Sequence, residues 1–142
     1  MTTNLSLSLE NNTPKIERLI DANLNRLKEG LRVIEDISRY IHDDSALTSQ
    51  IKLLRHKLQI AYSIDRLQYR DIEGDCQKKS IDSELTRDNL NDIVIANFSR
   101  TEESARVLEE IFKLINIELS EEFKLIRYNI YAVEKSYFQV YS

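Results

Sequence analysis

The chain has 142 residues, of which 42% are hydrophobic and 31% charged, and this balance fits one globular domain rather than a disordered chain. Its formal net charge of -4 disfavours general binding to nucleic acid backbones, and no apolar run in the sequence approaches the roughly 18 residues that a membrane span requires. One cysteine cannot form an internal disulfide and the N-terminus lacks a signal-peptide pattern, so we expect a cytoplasmic protein.

The first half of the chain predicts a polar tail followed by two helices. Residues 1–13 are polar and carry no helical period. Pro14 is typical of a helix start, and apolar residues recur from there every three or four positions, which predicts a first helix over 14–41. A second helix is predicted at about 46–68. Two glycines and one proline in the whole chain also favour long helices over a sheet with tight turns.

The second half predicts a loop and two more helices. Residues 69–82 are the only long polar segment with a glycine and are expected to form the central loop. A third helix is predicted from about Ser83 to 117, with Asn116 near its end. A fourth is predicted from Ser120 to about 138, because a hydroxyl caps its start and the two acids that follow complement the helix dipole.

The two halves are similar in sequence. Residues 21–40 match 95–114 at an offset of 74, and residues 52–58 match 124–130 at an offset of 72. The match keeps an Asn-x-x-Arg-x-x-Glu-x-x-Arg order while core leucines change, although a core needs only apolar residues of suitable size. We therefore predict an all-α fold of four long helices, built as two duplicated helical hairpins with pseudo-twofold symmetry. The predicted boundaries are 14–142 for the single helical domain, 14–68 for repeat one and 83–140 for repeat two.

The polar residues that the repeat retains are candidates for binding anions. They are Asn23/Asn97, Arg26/Arg100, Glu29/Glu103, Arg32/Arg106 and Arg55/Arg127. Arginine grips a phosphate bidentately, whereas lysine acts as a point charge, so retained arginines indicate phosphate recognition. The alternatives are a solvated face whose ion pairs contribute about 0.2–0.5 kcal/mol each, arginines that cover the edge of the core, or a structural polar network inside the bundle.

Gly30 lies in the middle of the first predicted helix, where glycine costs about 1 kcal/mol relative to alanine. Its repeat partner, Ser104, is also small. We expect a close approach at this position, by a crossing helix in preference to a ligand.

The central loop contains a second candidate site. Asp71 and Asp75, together with Arg70, could hold Mg²⁺ and a phosphate. The spacing alone favours the alternative, a plain acidic turn without a ligand. Two glycines cannot form a glycine-rich phosphate loop. Any phosphate must therefore be held by side chains and helix N-termini.

Five short motifs in this chain occur together in one known protein family. They are D-A-N-x-N-R-x-x-E-G-L-R-V-I-E-D at 21–36, L-R-H-K-L at 54–58, R-D-x-x-G-D at 70–75, A-N-x-x-R-x-x-E-x-x-R-V-L-E-E at 96–110 and I-R-Y at 126–128. Together they resemble the small all-helical hydroxymethylpyrimidine phosphate kinase family, whose members occur free-standing or fused ahead of thiamin phosphate synthase. The resemblance covers about residues 15–137, and without a barrel-type second domain the chain resembles the free-standing form.

The resemblance implies an enzyme of thiamin biosynthesis. The implied reaction moves the γ-phosphoryl group of ATP, with Mg²⁺, to 4-amino-5-hydroxymethyl-2-methylpyrimidine phosphate. The implied partners are small-molecule phosphates and, functionally, thiamin phosphate synthase, with neither nucleic acid nor membrane; self-association stays open. The loop departs from the family pattern, because Cys76-Gln77-Lys78-Lys79 follows the motif in place of small residues.

Phosphoryl transfer depends on positioning and charge neutralisation more than on covalent chemistry. We expect guanidinium groups of both hairpins to meet in one cleft, with Arg26, Arg32 and Arg55 on one phosphate group and Arg100, Arg106 and Arg127 on the other. The expected roles are catalysis by Arg106, Glu103, Glu29 and Asp71, phosphate binding by Arg26, Arg32, Arg55, Arg70, Arg100, Arg127, Asn23 and Asn97, and metal ligation by Asp71 and Asp75. The alternative function is a non-catalytic helical module that binds a phosphorylated ligand or a partner protein through the same residues.

Overall fold

The computed structural model describes residues 9–76 and 86–142, with side chains from residue 13 onward. Within these ranges all regular structure is helical, so the all-α prediction is confirmed. The four long helices are α1 (Leu9–Asp36), α2 (Ser45–Lys57), α3 (Leu90–Phe112) and α4 (Ile117–Tyr141). Shorter segments are a π-helical turn at Ile37–Ile41 and 3-10 turns at Leu58–Ala61 and Ile64–Tyr69. No helix in the described part of the chain is long and apolar enough to cross a membrane.

The first helix begins earlier and ends earlier than the sequence predicts. It starts at Leu9, so Pro14 lies in its second turn rather than at its start. Proline there lies beyond the first turn, so it leaves one helical hydrogen bond unmade although it keeps a helical φ. The chain changes from α-helix to the π-helical turn after Asp36. Residues 1–8 of the predicted tail lie outside the described residues.

The predicted second helix over 46–68 is shorter in the structure, because α2 ends at Lys57 and two 3-10 turns replace its last part. Arg66 explains where this segment lies. Its guanidinium donates to the Ala61 carbonyl and to the Glu17 carboxylate on α1. The last part of the segment is therefore fastened back against α1 instead of continuing the axis of α2.

The connection between α3 and α4 also differs from the prediction. The third helix ends at Phe112, and Asn116 begins α4, where its side chain accepts a hydrogen bond from the Leu119 N–H at 3.1 Å. Ser120, the predicted cap, instead donates its buried hydroxyl to the Glu109 carbonyl at 2.7 Å. Asparagine is at least as good an N-cap as serine, and it occupies the extended backbone conformation that capping requires.

The predicted start of α3 near Ser83 lies outside the described residues. The helix begins at Leu90, and Asn89 caps it by accepting from the Asp92 N–H at 2.9 Å. The central loop is described only as far as Cys76, where it is irregular and exposed.

The helices bury one apolar core, and the predicted apolar stripes of α1 and α2 are inside it. Phe112 stacks on Phe123 with ring centroids 5.5 Å apart, while Phe98 meets Phe138 at 6.2 Å. These two pairs show that α3 and α4 run in opposite directions. Of the apolar residues that recur at helical spacing, those that are buried are Ile20, Leu24, Leu27, Leu31, Ile34, Ile51, Leu54, Leu58 and Ala61, whereas Leu19 is 37% exposed.

Gly30 brings α1 and α3 into close contact, which confirms the expected crossing helix. A Cβ atom at this position would lie 2.5 Å from Thr101 Cγ2 and 3.4 Å from the Asn97 carbonyl oxygen. Thr101 is fully buried and cannot turn away into solvent. Glycine therefore allows the two helices to pack at this distance.

Several contacts recur at positions that the sequence repeat relates. Asn23 donates to the Leu19 carbonyl and Asn97 to the Ile93 carbonyl, at 2.9 and 2.8 Å. The caps recur as well, since the Asp44 and Asn116 side chains accept from the N–H groups three residues further on. These matched contacts support the duplication with pseudo-twofold symmetry, which stays a prediction.

Candidate functional site

A Glu–Arg pair joins α1 to α2, which we call the first helix pair. Another joins α3 to α4, the second helix pair. Arg55 on α2 donates from Nε and Nη2 to Glu35 on α1, at 2.8 and 3.4 Å. In the second half Arg127 on α4 lies 2.9 Å from Glu109 on α3 through the same two nitrogens. Glu35 and Glu109 are almost completely buried, at 2% and 4% exposure. Two of the predicted phosphate ligands are thus fixed by buried carboxylates.

The two arginines differ in what surrounds their third nitrogen. Arg127 Nη1 donates to the Tyr131 hydroxyl at 3.4 Å, and its guanidinium lies over the rings of Tyr128 and Tyr131 at 4.9 and 5.7 Å. No residue in the described ranges accepts a hydrogen bond from Arg55 Nη1. Glu35 raises the pKa of Arg55, which keeps its charge. Arg55 therefore retains a donor edge for an anion, whereas tyrosines cover that edge of Arg127.

Arg55 also lines a groove between α1 and α2, which we call the first groove. Its volume is about 70 Å³, enough for a phosphate group but not for a whole nucleotide. Lys28 and Arg55 supply positive charge, and no carboxylate lines it. The groove is therefore electrostatically suited to an anion. Its lining residues are Leu24, Asn25, Lys28, Arg55, His56, Leu58, Gln59 and Tyr62.

Arg70 is held next to the first helix pair. It donates to both carboxylate oxygens of Asp21, at 2.7 and 2.8 Å. This bidentate bond raises the pKa of Arg70, and the nearby Tyr62 and Glu29 add smaller effects. The fold thus brings the predicted ligands Arg70 and Glu29 towards Tyr62, at the edge of the first groove.

A larger groove of about 370 Å³ lies at the start of α2, on the other side of the Glu35–Arg55 pair. We call it the α2-entry groove. Arg39 and Lys52 bring positive charge to it, and three hydroxyl groups of α2 add possible donors. Its lining residues are Glu35, Arg39, Asp43, Asp44, Ser45, Thr48, Ser49 and Lys52.

The second helix pair carries a groove of about 380 Å³, which we call the second groove. It is lined by Ser99, Glu102, Glu103, Arg106 and Tyr131. Glu102 Oε2 is sealed from solvent, and the Glu102 carboxyl forms a side-chain hydrogen bond with Glu134. Burial raises the pKa of Glu102 to about 8, and the neighbouring Glu134 and Glu103 carboxylates add to the rise. A carboxyl group with this pKa holds its proton near neutral pH.

The remaining predicted arginines lie on the solvent side of α1 and α3. Arg32 pairs with Asp36 at 3.4 Å, and Arg106 pairs with Glu109 and Glu110 at 3.3 and 3.0 Å. Arg26 and Arg100 are exposed and form no ion pair with any described residue. A fourth groove, between α2 and α4, is lined by Gln50, Leu53, Leu54, Lys57, Asn129, Ala132 and Val133. None of these four grooves among the described residues is lined by arginines from both helix pairs, so the expected single cleft does not appear among them.

The loop acids show a local structural role. Asp71 Oδ1 accepts a hydrogen bond from the Gly74 N–H at 2.6 Å, and Asp71 and Asp75 are both exposed. Across the described ranges no three His, Cys, Asp or Glu side chains are grouped so as to hold a metal ion. Magnesium ligation by Asp71 and Asp75 stays a prediction.

Sequence reasoning missed the residues that make the two helix pairs chemically different. Lys28 in the first groove aligns with Glu102 in the second, and Tyr62 aligns with Glu134. The repeat is recognised by its identical residues, whereas the chemical difference lies at positions where the two halves diverge. A comparison of the differences would have revealed a cationic half and an acidic half.

The family model and the sequence relatives that match this chain both point to proteins of thiamin biosynthesis. The ThiD2 family model matches residues 18–136. Relatives named thiamine-phosphate synthase are 39% identical in Thermosynechococcus vestitus, 35% in a Nostoc species and 38% in Rhodopirellula baltica. The alignments cover 86%, 84% and 81% of this chain but 35%, 34% and 32% of those relatives. The chain thus spans about a third of the length of the curated relatives it matches. No solved structure is significantly similar to it.

Proposed function

The chain belongs to the ThiD2 family, and we propose that it is a kinase of thiamin biosynthesis. It transfers the γ-phosphoryl group of ATP to 4-amino-5-hydroxymethyl-2-methylpyrimidine phosphate. The five motifs quoted above support the kinase assignment, and the relatives named thiamine-phosphate synthase support the pathway. A synthase of that name would consume the pyrimidine diphosphate that this reaction forms.

The chemistry of this transfer explains which residues are needed. An oxygen of the pyrimidine phosphate attacks the γ-phosphorus of ATP, the bond from that phosphorus to the bridging oxygen breaks, and ADP leaves. A phosphate monoester is already ionised near neutral pH, since its second pKa is about 6. No general base is required. The protein must instead bring two strongly negative groups together and neutralise them.

The single observation that carries this proposal is the cationic first groove. It combines Arg55 with Lys28, and no acid lines it. The adjacent α2-entry groove adds Arg39 and Lys52 but is also lined by Glu35, Asp43 and Asp44, so it is not a cationic site. We assign a phosphate group of ATP to the first groove. Magnesium would arrive with the nucleotide, as is usual when phosphates supply most of its ligands, and Asp71, Asp75, Glu29 and Glu103 are its candidate protein ligands.

The test is ADP release by the purified full chain with Mg²⁺, ATP and the pyrimidine phosphate. We expect ADP only when both substrates are present. Lys28→Gln should raise the KM for ATP about tenfold, because it removes one charge-assisted contact. Lys135→Gln, at an exposed lysine that lines none of the four grooves, is the matched control and should leave KM unchanged. Folded protein that releases no ADP would contradict the proposal.

The second candidate function is a non-catalytic module for a phosphorylated ligand. One observation favours it: the exposed arginines of α1 and α3 share none of the four described grooves. It predicts binding of the pyrimidine phosphate without ADP release. The kinase function predicts both binding of the pyrimidine phosphate and release of ADP.

A further inference from the structure

Two exposed leucines occupy repeat-related positions on α2 and α4, which lie side by side. Leu53 on α2 is 59% exposed, and Leu125, its partner at the offset of 72, is 58% exposed. The solvent side of a helix is ordinarily polar, and a single exposed apolar residue needs no explanation. A leucine that is exposed in both halves of a repeat is different, because it indicates a surface that another protein covers.

The two leucines belong to matching rows of exposed side chains. Each row advances by four and then by three residues, which keeps it on one side of its helix. The offset of 72 aligns the two rows residue by residue. We call the surface that they form the α2–α4 face. Its rows are Leu53, Lys57 and Ile60 on α2 and the 3-10 turn after it, and Leu125, Asn129 and Ala132 on α4.

An apolar groove of about 300 Å³ lies between the two rows, and it is the fourth groove described above. Leu54 and Val133 are buried and form its floor. Ala132 stands where the first row has Ile60, so its small side chain leaves room beside it. Among the described residues that line the groove, Lys57 is the only charged one. The groove therefore suits a protruding apolar side chain rather than a charged ligand.

The charges of the α2–α4 face decide how a second copy of the chain would pack on it. An isologous dimer brings the same face of both copies together across a twofold axis. If α2 packed on α2, Lys57 of one copy would approach Lys57 of the other, and the like charges would repel each other. If α2 packs on α4, Lys57 instead approaches Asn129, whose amide oxygen accepts a hydrogen bond. Leu53 then lies over the groove beside Ala132 of the other copy.

The face is also large enough for a stable dimer. Two neighbouring helices, each about 10 Å across, present a surface about 20 Å wide, and α2 with the 3-10 turn after it is about 27 Å long. This surface is on the order of 500 Å² in projection, and its protruding side chains make the accessible area larger. A standard interface buries about 800 Å² on each partner. The α2–α4 face therefore matches a second protein surface in size.

We propose that the chain forms an isologous dimer through the α2–α4 face, with α2 of one copy on α4 of the other and Leu53 in the groove beside Ala132. Arg55 lies about 200° around α2 from Leu53, so the first groove stays open to solvent in this dimer. The inference goes beyond the proposed kinase function and does not depend on it.

The first test is sedimentation equilibrium of the full chain at about 100 µM, above the micromolar dissociation constants of weak standard-size interfaces. A reductant prevents a disulfide through the exposed Cys76. We expect twice the mass of the chain. Leu53→Glu and Leu125→Glu should each raise the dissociation constant at least about 100-fold, because an unpaired carboxylate is costly to bury. Leu114→Glu, at a leucine that is 56% exposed outside the face, is the matched control and should leave the dimer intact.

A cross-link tests which helices meet. Chains that carry Leu53→Cys are mixed with chains that carry Ala132→Cys, both with Cys76→Ser, and oxidised glutathione is added. Packing of α2 on α4 predicts disulfide-linked pairs that contain one chain of each kind. Pairs of two Leu53→Cys chains in their place would contradict this packing.

Three results would overturn the proposal. They are a wild type that is monomeric at about 100 µM, a dimer that neither Leu53→Glu nor Leu125→Glu dissociates, and a dimer that Leu114→Glu dissociates as readily. Circular dichroism checks that each variant is folded, and Leu53→Ser replaces Leu53→Glu where the glutamate prevents folding. A dimer that both glutamate variants dissociate while the control leaves it intact supports the α2–α4 face.

Discussion

Glu35 on α1 receives two hydrogen bonds from Arg55 on α2, and only 2% of Glu35 is exposed. A carboxylate buried to this extent is costly unless a cation neutralises it. The pair therefore does two things at once: it fastens the first helix pair and fixes a guanidinium at the wall of the first groove.

The first prediction follows from this burial. Arg55→Ala leaves Glu35 without its counter-ion and should lower the free energy of unfolding by about 3 kcal/mol, at the low end for a broken buried pair because 19% of the Arg55 side chain is exposed. Urea unfolding measures the change. Arg32→Ala breaks only the exposed pair with Asp36 and should cost less than about 1 kcal/mol. Equal effects of the two substitutions would refute the role given to burial.

The second prediction concerns the crossing of α1 and α3. Gly30→Ala places a Cβ against Thr101 Cγ2, and the strain should outweigh the gain in helix propensity, for a net loss of about 1–2 kcal/mol. Thr101→Ser removes the clashing methyl group. In the double variant Gly30→Ala should therefore cost nothing further, or even stabilise the protein, as a double-mutant cycle by thermal unfolding would show. Additive losses would mean that the clash is not the cause.

The fold could be predicted from the sequence where local patterns decide it. Leu27, Leu31 and Ile34 recur at helical spacing, and all three are buried as predicted. Helix ends were less predictable: Asn116 and Ser120 are both good caps four residues apart, and the choice depends on the buried hydroxyl bond from Ser120 to the Glu109 carbonyl. Such a bond forms only once the helices have packed.

The candidate site could be predicted in its residue types but not in their partners. The repeat drew attention to Arg55 and Arg127, yet nothing in their spacing shows that buried glutamates on another helix hold both. The tyrosines that cover Arg127 have no counterparts at the repeat-related positions His56 and Gln59. The functional difference between the two halves therefore arises from long-range packing and from non-identical positions.

The third prediction is a pH-dependent contact between the α1–α2 connection and the end of α4. The Tyr141 hydroxyl donates to Asp44 Oδ2 at 2.6 Å. This bond, with the Leu47 N–H, lowers the pKa of Asp44 below its ordinary 3.8, and it raises the pKa of Tyr141 to about 12 from 10.0. Tyr141→Phe should therefore lower the urea midpoint at pH 7.

The sign follows from the two shifts. Asp44 has a lowered pKa in the folded state, so its contribution is complete above pH 3.8 and is lost as pH falls through the folded value. Tyr141 has a raised pKa, so its contribution is complete below pH 10.0 and is lost as pH rises through about 12. The difference between wild type and Tyr141→Phe should shrink at pH 2.5. A difference that stays constant from pH 7 to pH 2.5 would exclude the charged hydrogen bond.

The fourth prediction separates catalysis from stability at Arg106. Its side chain is 54% exposed and Glu109 keeps Arg127 as a partner, so Arg106→Ala should change the free energy of unfolding by less than about 1 kcal/mol. Turnover should fall by about 10³-fold or more, as when an arginine that stabilises a transferring phosphoryl group is lost. Arg18→Ala, at an exposed arginine outside the four grooves, serves as the control. Near-normal turnover in folded Arg106→Ala would remove Arg106 from the catalytic assignment.

The central claim is that this chain itself makes a diphosphate from a pyrimidine phosphate. Phosphorus NMR of the purified full chain with Mg²⁺, ATP and 4-amino-5-hydroxymethyl-2-methylpyrimidine phosphate tests it directly. The account predicts that the monophosphate resonance is replaced by the paired resonances of a pyrimidine diphosphate, in step with the conversion of ATP to ADP. A folded protein that binds both substrates yet leaves the monophosphate resonance unchanged would contradict it.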